Sequence, residues 1–231
     1  MTTTVASQAC MASLVGSLAD NKAALGRRYA DWAVSAPTLE SAVAAAAMAQ
    51  DELGHARSTY PVLKGLGVEA NEDGFGGDKR LGLLDDELPD WNAFIAANLL
   101  VDGVLTTFVA SCVDSSLEPM AARAKKILQE EGSHRAHGEA WARRLLRGAD
   151  RDAFVARLLE TWEHAGRWIG PDDDAEITAA VEAGEVSRDA AAQRELVRAW
   201  LVDVLAAEGV ELTLPELTWD GWDPERRRWS A

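Results

Sequence analysis

Along most of the chain apolar residues recur every three or four positions, and β-branched runs are short. That period belongs to amphipathic helices, and the abundant alanine is the strongest intrinsic helix former, so the pattern predicts an all-α protein. A first helix is expected over residues 4–35, ending before Pro37, whose ring favours a stop and a new start. A second follows from Thr38, with Glu40 in its first turn, and runs to about residue 66. Pro61 is expected to disturb its last turns, because proline removes a backbone donor and crowds the preceding turn. Residues 67–90, rich in Gly, Asp and Glu, break the pattern; a connection of that length suits a crossover between two halves of a bundle.

Helices resume over residues 91–116 and, opened by Pro119, up to residue 147. Shorter helical segments cover 152–168, 175–183 and 188–208, with Gly170-Pro171-Asp172-Asp173-Asp174 as the turn and helix cap after the first of them. Residues 213–231 carry Trp219, Trp222 and Trp229 and read as an extended tail, packed on the body through those rings. The expectation is one domain over residues 1–231, with a core bundle at about 4–147 and added helices and tail at about 152–231.

Composition narrows the function. A net charge of −15 repels phosphate backbones and anionic bilayers, which argues against nucleic-acid or membrane-surface partners. Cys10 and Cys112 are too few for a disulfide framework and do not have metal spacing. No apolar run is read as reaching the roughly 20 residues that span a bilayer. The start, Met-Thr-Thr-Thr-Val-Ala, lacks the basic opening of a secretory signal, so a soluble cytoplasmic protein is expected.

The histidines carry the candidate chemistry. Glu52 precedes His55 by three positions, and Glu131 precedes His134 by three, which on a helix puts each pair on one face. A carboxylate and an imidazole one turn apart can grip one metal ion or bridge two. Di-iron carboxylate bundles use two such pairs plus one carboxylate from each of two other helices. Hard carboxylates with one imidazole per metal suit iron or manganese rather than zinc.

The pairs fall on the second and fourth expected helices. On the third, Asp102 lies within Leu99-Leu100-Val101-Asp102-Gly103-Val104, where an acid costs several kcal/mol unless it is paired or metal-bound. It reads as a metal ligand, against the alternatives of an acid reaching solvent or a buried arginine. The first helix breaks the scheme: Asp20 is its only acid before Asp31, and the core-facing register places Lys22 inward instead. His137 suits hydrogen bonding behind the ligands or direct ligation at the edge. His164 reads as a surface or packing residue.

At these residues the chain resembles the phenylacetic acid catabolic family, the ferritin-like subunits of the phenylacetyl-CoA epoxidase. The resemblance runs from about residue 18 to 174 and more weakly into the tail. Ala36-Pro37-Thr38-Leu39, Gln50-Asp51-Glu52-Leu53-Gly54-His55, Val101-Asp102-Gly103, Glu130-Glu131-Gly132-Ser133-His134 and the Gly170–Asp174 segment resemble the catalytic subunit. Leu18-Ala19-Asp20-Asn21, Leu25-Gly26-Arg27-Arg28 and His134-Arg135-Ala136-His137 are more similar to the non-catalytic structural subunit.

The resemblance implies a ferritin-like four-helix bundle with extra C-terminal helices. It also implies one or two iron ions, with manganese as the other candidate, held by Glu52, His55, Asp102, Glu131 and His134. Counted back from Trp32 without a gap, the family's first-helix glutamate falls on Lys22. Lys22 then replaces one metal, becomes a carbamylated ligand, or yields to Asp20 through a register shift; the last is disfavoured because two positions rotate a side chain by about 200°. The leading functional expectation is an O₂-dependent monooxygenase of the epoxidase type acting on a small organic molecule or CoA thioester, with Glu52, Glu131 and Lys22 at the chemistry. No Rossmann fingerprint or iron–sulfur cysteine set is present, so electrons would come from an external reductase. The alternative is a structural subunit paired with a catalytic homologue, and metal storage or sensing is a third reading. The expected assembly is a homodimer or a heterodimer with a homologous helical subunit.

Overall fold

The computed structural model describes residues 2–68 and 80–229, with side chains from Gln8 onward. Much of the expected 67–90 crossover therefore lies outside the described residues. Seven α-helices are present among them: α1 Thr2–Trp32, α2 Leu39–Gly65, α3 Trp91–Ser111, α4 Glu118–Arg147, α5 Arg151–Trp168, α6 Ala175–Glu182 and α7 Ala190–Ala206. The long helices end a little earlier than the pattern suggested, α1 at Trp32 and α3 at Ser111.

Their starts have identifiable causes. Thr38 accepts from the Ser41 amide at 3.2 Å, Asp90 from Ala93 at 2.7 Å, Asp174 from Ile177 at 2.9 Å and Asp189 from Ala192 at 2.8 Å. Each cap satisfies an amide that the first turn leaves without a helical partner. Pro119 sits in the first turn of α4, where its missing N–H costs nothing. α2 runs through Pro61 to Gly65, close to the end that the pattern suggested.

The fold is an all-α, ferritin-like bundle. α1 and α2 form one extensively packed pair, α3 and α4 a second, and α1–α3 and α2–α4 contacts close the four-helix core. Close approach within the first pair depends on Gly26: a Cβ there would lie 3.0 Å from Leu53 Cγ and 3.1 Å from Glu52 Cβ. Gly138 does the same on α4, facing Asn98 Oδ1 at 2.7 Å from a would-be Cβ.

By length and composition α3 could cross a bilayer, which corrects the sequence reading that no such run exists. Most of it is instead buried in the bundle: Phe94, Ile95, Leu99, Leu100, Val101, Val104, Leu105 and Phe108 are wholly covered. α5 and α7 pack on α3, and α6 packs on α1. The tail returns across α5 as a two-residue antiparallel pairing, Trp222 with Trp229 and Asp223 with Arg228. Buried Arg227 anchors it by donating to Asp174, Glu176 and the carbonyls of Trp168 and Ile169.

Candidate functional site

α1 and α3 each send one acid or base to a common centre, and α2 and α4 send two each. Lys22 lies one turn before Gly26, where α1 and α2 are in tight contact, and its side chain is fully buried. Its Nζ donates to Glu52 Oε1 at 2.9 Å, Asp102 Oδ1 at 2.8 Å and Glu131 Oε1 at 2.6 Å. An ammonium has three protons, and here each has its own carboxylate. His134 points Nδ1 into the same cluster, 3.0 Å from Asp102 Oδ2 and 3.3 Å from Glu52 Oε1. His55 Nδ1 lies 3.4 Å from Glu131 Oε1. The structure thus brings together all six residues singled out on the four helices.

Two further acids complete the arrangement. Glu130 takes His55 Nε2 at 2.7 Å, and Asp51 takes His134 Nε2 at 3.3 Å. Both sit at the rim, half-exposed, and each bridges α2 and α4 by holding the histidine of the opposite helix. Neither was singled out from the sequence, although a signal was there. The string Gln-acid-Glu-x-x-His occurs twice, as Gln50-Asp51-Glu52 leading to His55 and Gln129-Glu130-Glu131 leading to His134.

Other candidates fall away from the centre. Asp20 accepts from Tyr60 Oη at 3.1 Å, so the register-shift alternative fails. His137 contacts Asn98 Oδ1 at 3.4 Å and packs against Trp91 and Phe94, outside the cluster. His164 packs its ring on Trp229 at 5.0 Å between centroids.

Electrostatics follow the geometry. Burial alone would lower the Lys22 pKa, but Asp102, Glu131 and Glu52 outweigh it and hold the ammonium well above its ordinary value. Burial would raise Asp102 and Glu52, yet Lys22 and the histidines bring both below the usual carboxylate range. Glu131 goes the other way: burial and the like charge of Asp102 outweigh Lys22 and raise it. Burial opposes charge on the imidazoles too. Hydrogen bonds to Glu131 and Glu52 nevertheless lift His55 to about 9, and those to Asp102 and Glu52 lift His134 to about 11. Lys22 and the two imidazoles therefore face the three buried acids, so each acid has a basic partner within the protein itself.

This bears on pH. Both histidines have folded-state values above the ordinary 6.5, so their stabilisation is complete below about pH 6.5 and is lost as pH rises through 9 and then 11. The melting temperature is expected to fall on the order of 5–10 °C between pH 7 and pH 10. A melting temperature that holds level or rises over that interval would contradict the charge assignment.

The fit to metal is partial. Ligand atoms of Glu52, Asp102, Glu131 and His134 all lie within 4.8 Å of one another, a set able to hold an ion. The point facing three of those carboxylates, however, is filled by Lys22 Nζ. A two-iron centre does not fit these residues, because α1 supplies a cation where a fourth carboxylate is needed. A carbamylated Lys22 would supply that carboxylate, but its Nζ could no longer donate to Glu52, Asp102 and Glu131 as the ammonium does here. A cavity of about 410 Å³ reaches Asp102 and Glu131 from the α3, α4 and α7 side, walled by Leu128, Val197 and Trp200.

The sequence matches a known family over the whole chain. Residues 1–231 correspond to the family described as phenylacetic acid catabolic protein. The chain belongs to that family. Within it, the chain is 28% identical over 197 residues to the C subunit of the 1,2-phenylacetyl-CoA epoxidase of Escherichia coli (strain K12). That alignment covers 82% of this chain and 77% of the relative. This member of the phenylacetic acid catabolic family therefore combines its helical scaffold with a lysine-centred core of buried acids and imidazoles.

Proposed function

We propose that this chain is a non-catalytic subunit of an epoxidase-type assembly that acts on a CoA thioester. In this reading it is cytoplasmic and pairs with a homologous catalytic subunit, which takes electrons from an external reductase. The observation that carries the reading is Lys22 Nζ within 2.6–2.9 Å of Glu52, Asp102 and Glu131. A buried ammonium there does the electrostatic work of a cation and needs no ligand exchange. The likeness to a relative named as one subunit of a phenylacetyl-CoA epoxidase supports membership of such an assembly.

A second reading has its own observation, the Glu52, Asp102, Glu131 and His134 donor set beside an apolar cavity. Under it the chain is an iron- or manganese-dependent monooxygenase of the epoxidase type, with Glu52, Glu131 and Lys22 at the chemistry. When bound, the metal would supply the oxygen chemistry; the chain would supply ligands and a dry pocket. That reading requires Lys22 to leave the carboxylates, which strands an ammonium in an apolar core.

Metal analysis of the purified chain after anaerobic incubation with iron(II) and removal of excess decides between them. Substoichiometric iron is expected, with uptake appearing in Lys22→Glu, which restores the fourth carboxylate. One or two tightly bound ions per chain in the unaltered protein would overturn the scaffold role.

A further inference from the structure

We propose that the outer face of α2 is a self-association surface, on which a second copy of this chain lays its own α2 antiparallel across a two-fold axis. The proposal stands apart from the scaffold reading, since it concerns the isolated chain and a surface, not the buried cluster.

The first observation is architectural. Among the described residues the C-terminal helices cover α3 and α1, while α2 packs chiefly along α1 and α4, which leaves its outer side the least covered face of the bundle. The second is chemical. Leu39, Val43, Ala46, Ala47, Gln50 and Gly54 are all exposed, and at helical spacing they form one continuous stripe. No charge falls on it. Leu39 is 77% exposed, Val43 62%, and Val34, in the turn leading into the helix, 90%. Most of the large apolar side chains exposed on the described surface are thus gathered at one end of one helix. Such a cluster is the mark of a contact surface rather than of scattered apolar residues.

The order of residues along the stripe selects the occupant. Glu40 stands at its N-terminal end and Arg57 at its C-terminal end, about 25 Å apart along the axis. Both are exposed, and neither has an ion pair among the described residues. A parallel neighbour with the same sequence would set like charges together. An antiparallel copy sets Glu40 against Arg57 of the other copy at both ends. The same register places Val43 opposite Gly54, and Ala47 opposite Gln50. Val43 then meets a position without a side chain, where a Cβ would find nothing within 4 Å. Large faces small and acid faces base, and each pair occurs twice, as an isologous contact requires. Charge pairs of this kind fix orientation and register more than they add affinity.

The test is sedimentation velocity of the full chain over a concentration series from nanomolar to tens of micromolar. A reversible dimer is expected. Val43→Glu should weaken it at least about tenfold while the helical signal stays unchanged, because the side chain is outside the core. Glu40→Arg and Arg57→Glu should each weaken the dimer, and the double reversal should bind more tightly than either single variant. A chain that is monomeric throughout the series overturns the proposal. So does a dimer indifferent to Val43→Glu, or a double reversal no tighter than the singles. A chain that stays monomeric alone and uses α2 only for a homologous subunit overturns it as well.

Discussion

Replacing Lys22 by methionine is expected to lower the melting temperature by about 6–20 °C. Methionine keeps the length and apolar contacts of the lysine stem and removes only the charge. Glu52, Asp102 and Glu131 then face two imidazoliums in place of three cations, at positions between 0% and 5% exposed. Breaking a buried ion pair by removing one partner costs about 3–5 kcal/mol, because the remaining charge is left without compensation. For a chain of this length each kcal/mol moves the melting temperature by about 2–4 °C.

The same variant should respond to metal. With Nζ gone, Glu52, Asp102, Glu131 and His134 present a donor set without its resident cation, and iron(II) or manganese(II) binding to the folded state alone stabilises it by mass action. Thermal unfolding with and without metal is the measurement. The unaltered chain should be indifferent and Lys22→Met should gain. An unchanged melting temperature in Lys22→Met would show that Lys22 is not the counter-charge of the cluster.

How much of this was legible beforehand depends on how local each cause is. Glu52 with His55 and Glu131 with His134 were readable because their spacing fixes a shared helix face whatever surrounds the helix. Asp102 was readable from its apolar flanks, and Lys22 from the core-facing register of α1. What Lys22 touches was not readable. Its three bonds span separations of 30, 80 and 109 residues and depend on how four helices are packed. The crossed partnership of Asp51 with His134 and Glu130 with His55 escaped for the same reason: each acid lies on the helix of the other histidine.

Arg227 shows the opposite limit. The Gly170–Asp174 segment was seen as a turn and cap, and Asp174 does cap α6. That the same carboxylate receives an arginine 53 residues later follows only from the tail returning over α5. The α3 misreading has a simple cause. Asp102 interrupts an otherwise apolar helix, and reading that acid as a functional group hid how apolar the remaining positions are.

The two carboxylates that meet Lys22 from α3 and α4 should differ sharply when neutralised. Asp102→Asn is expected to cost about 3–5 kcal/mol, whereas Glu131→Gln should cost about 1 kcal/mol or less. Asp102 uses both oxygens: Oδ1 accepts from Lys22 at 2.8 Å and Oδ2 from His134 Nδ1 at 3.0 Å. An amide in its place must turn an NH₂ toward one of those donors, so one buried hydrogen bond becomes a donor–donor contact. Asp102 is also held below the usual carboxylate range, so its ionised form contributes stability at every pH above that range. Glu131 has one close bond, Oε1 with Lys22 at 2.6 Å, and two longer contacts, Oε1 with His55 Nδ1 at 3.4 Å and Oε2 with His134 Nδ1 at 3.6 Å. A glutamine can keep the first with its carbonyl and turn its NH₂ toward the cavity that Glu131 lines. Burial and the repulsion of Asp102 already raise the Glu131 pKa, so the neutral form is the one its surroundings resist least. Paired denaturant titrations of the two variants, with unchanged slopes, give the difference directly. Equal losses would mean that Lys22 is shared evenly among its carboxylates and that Glu131 needs its negative charge as much as Asp102 does.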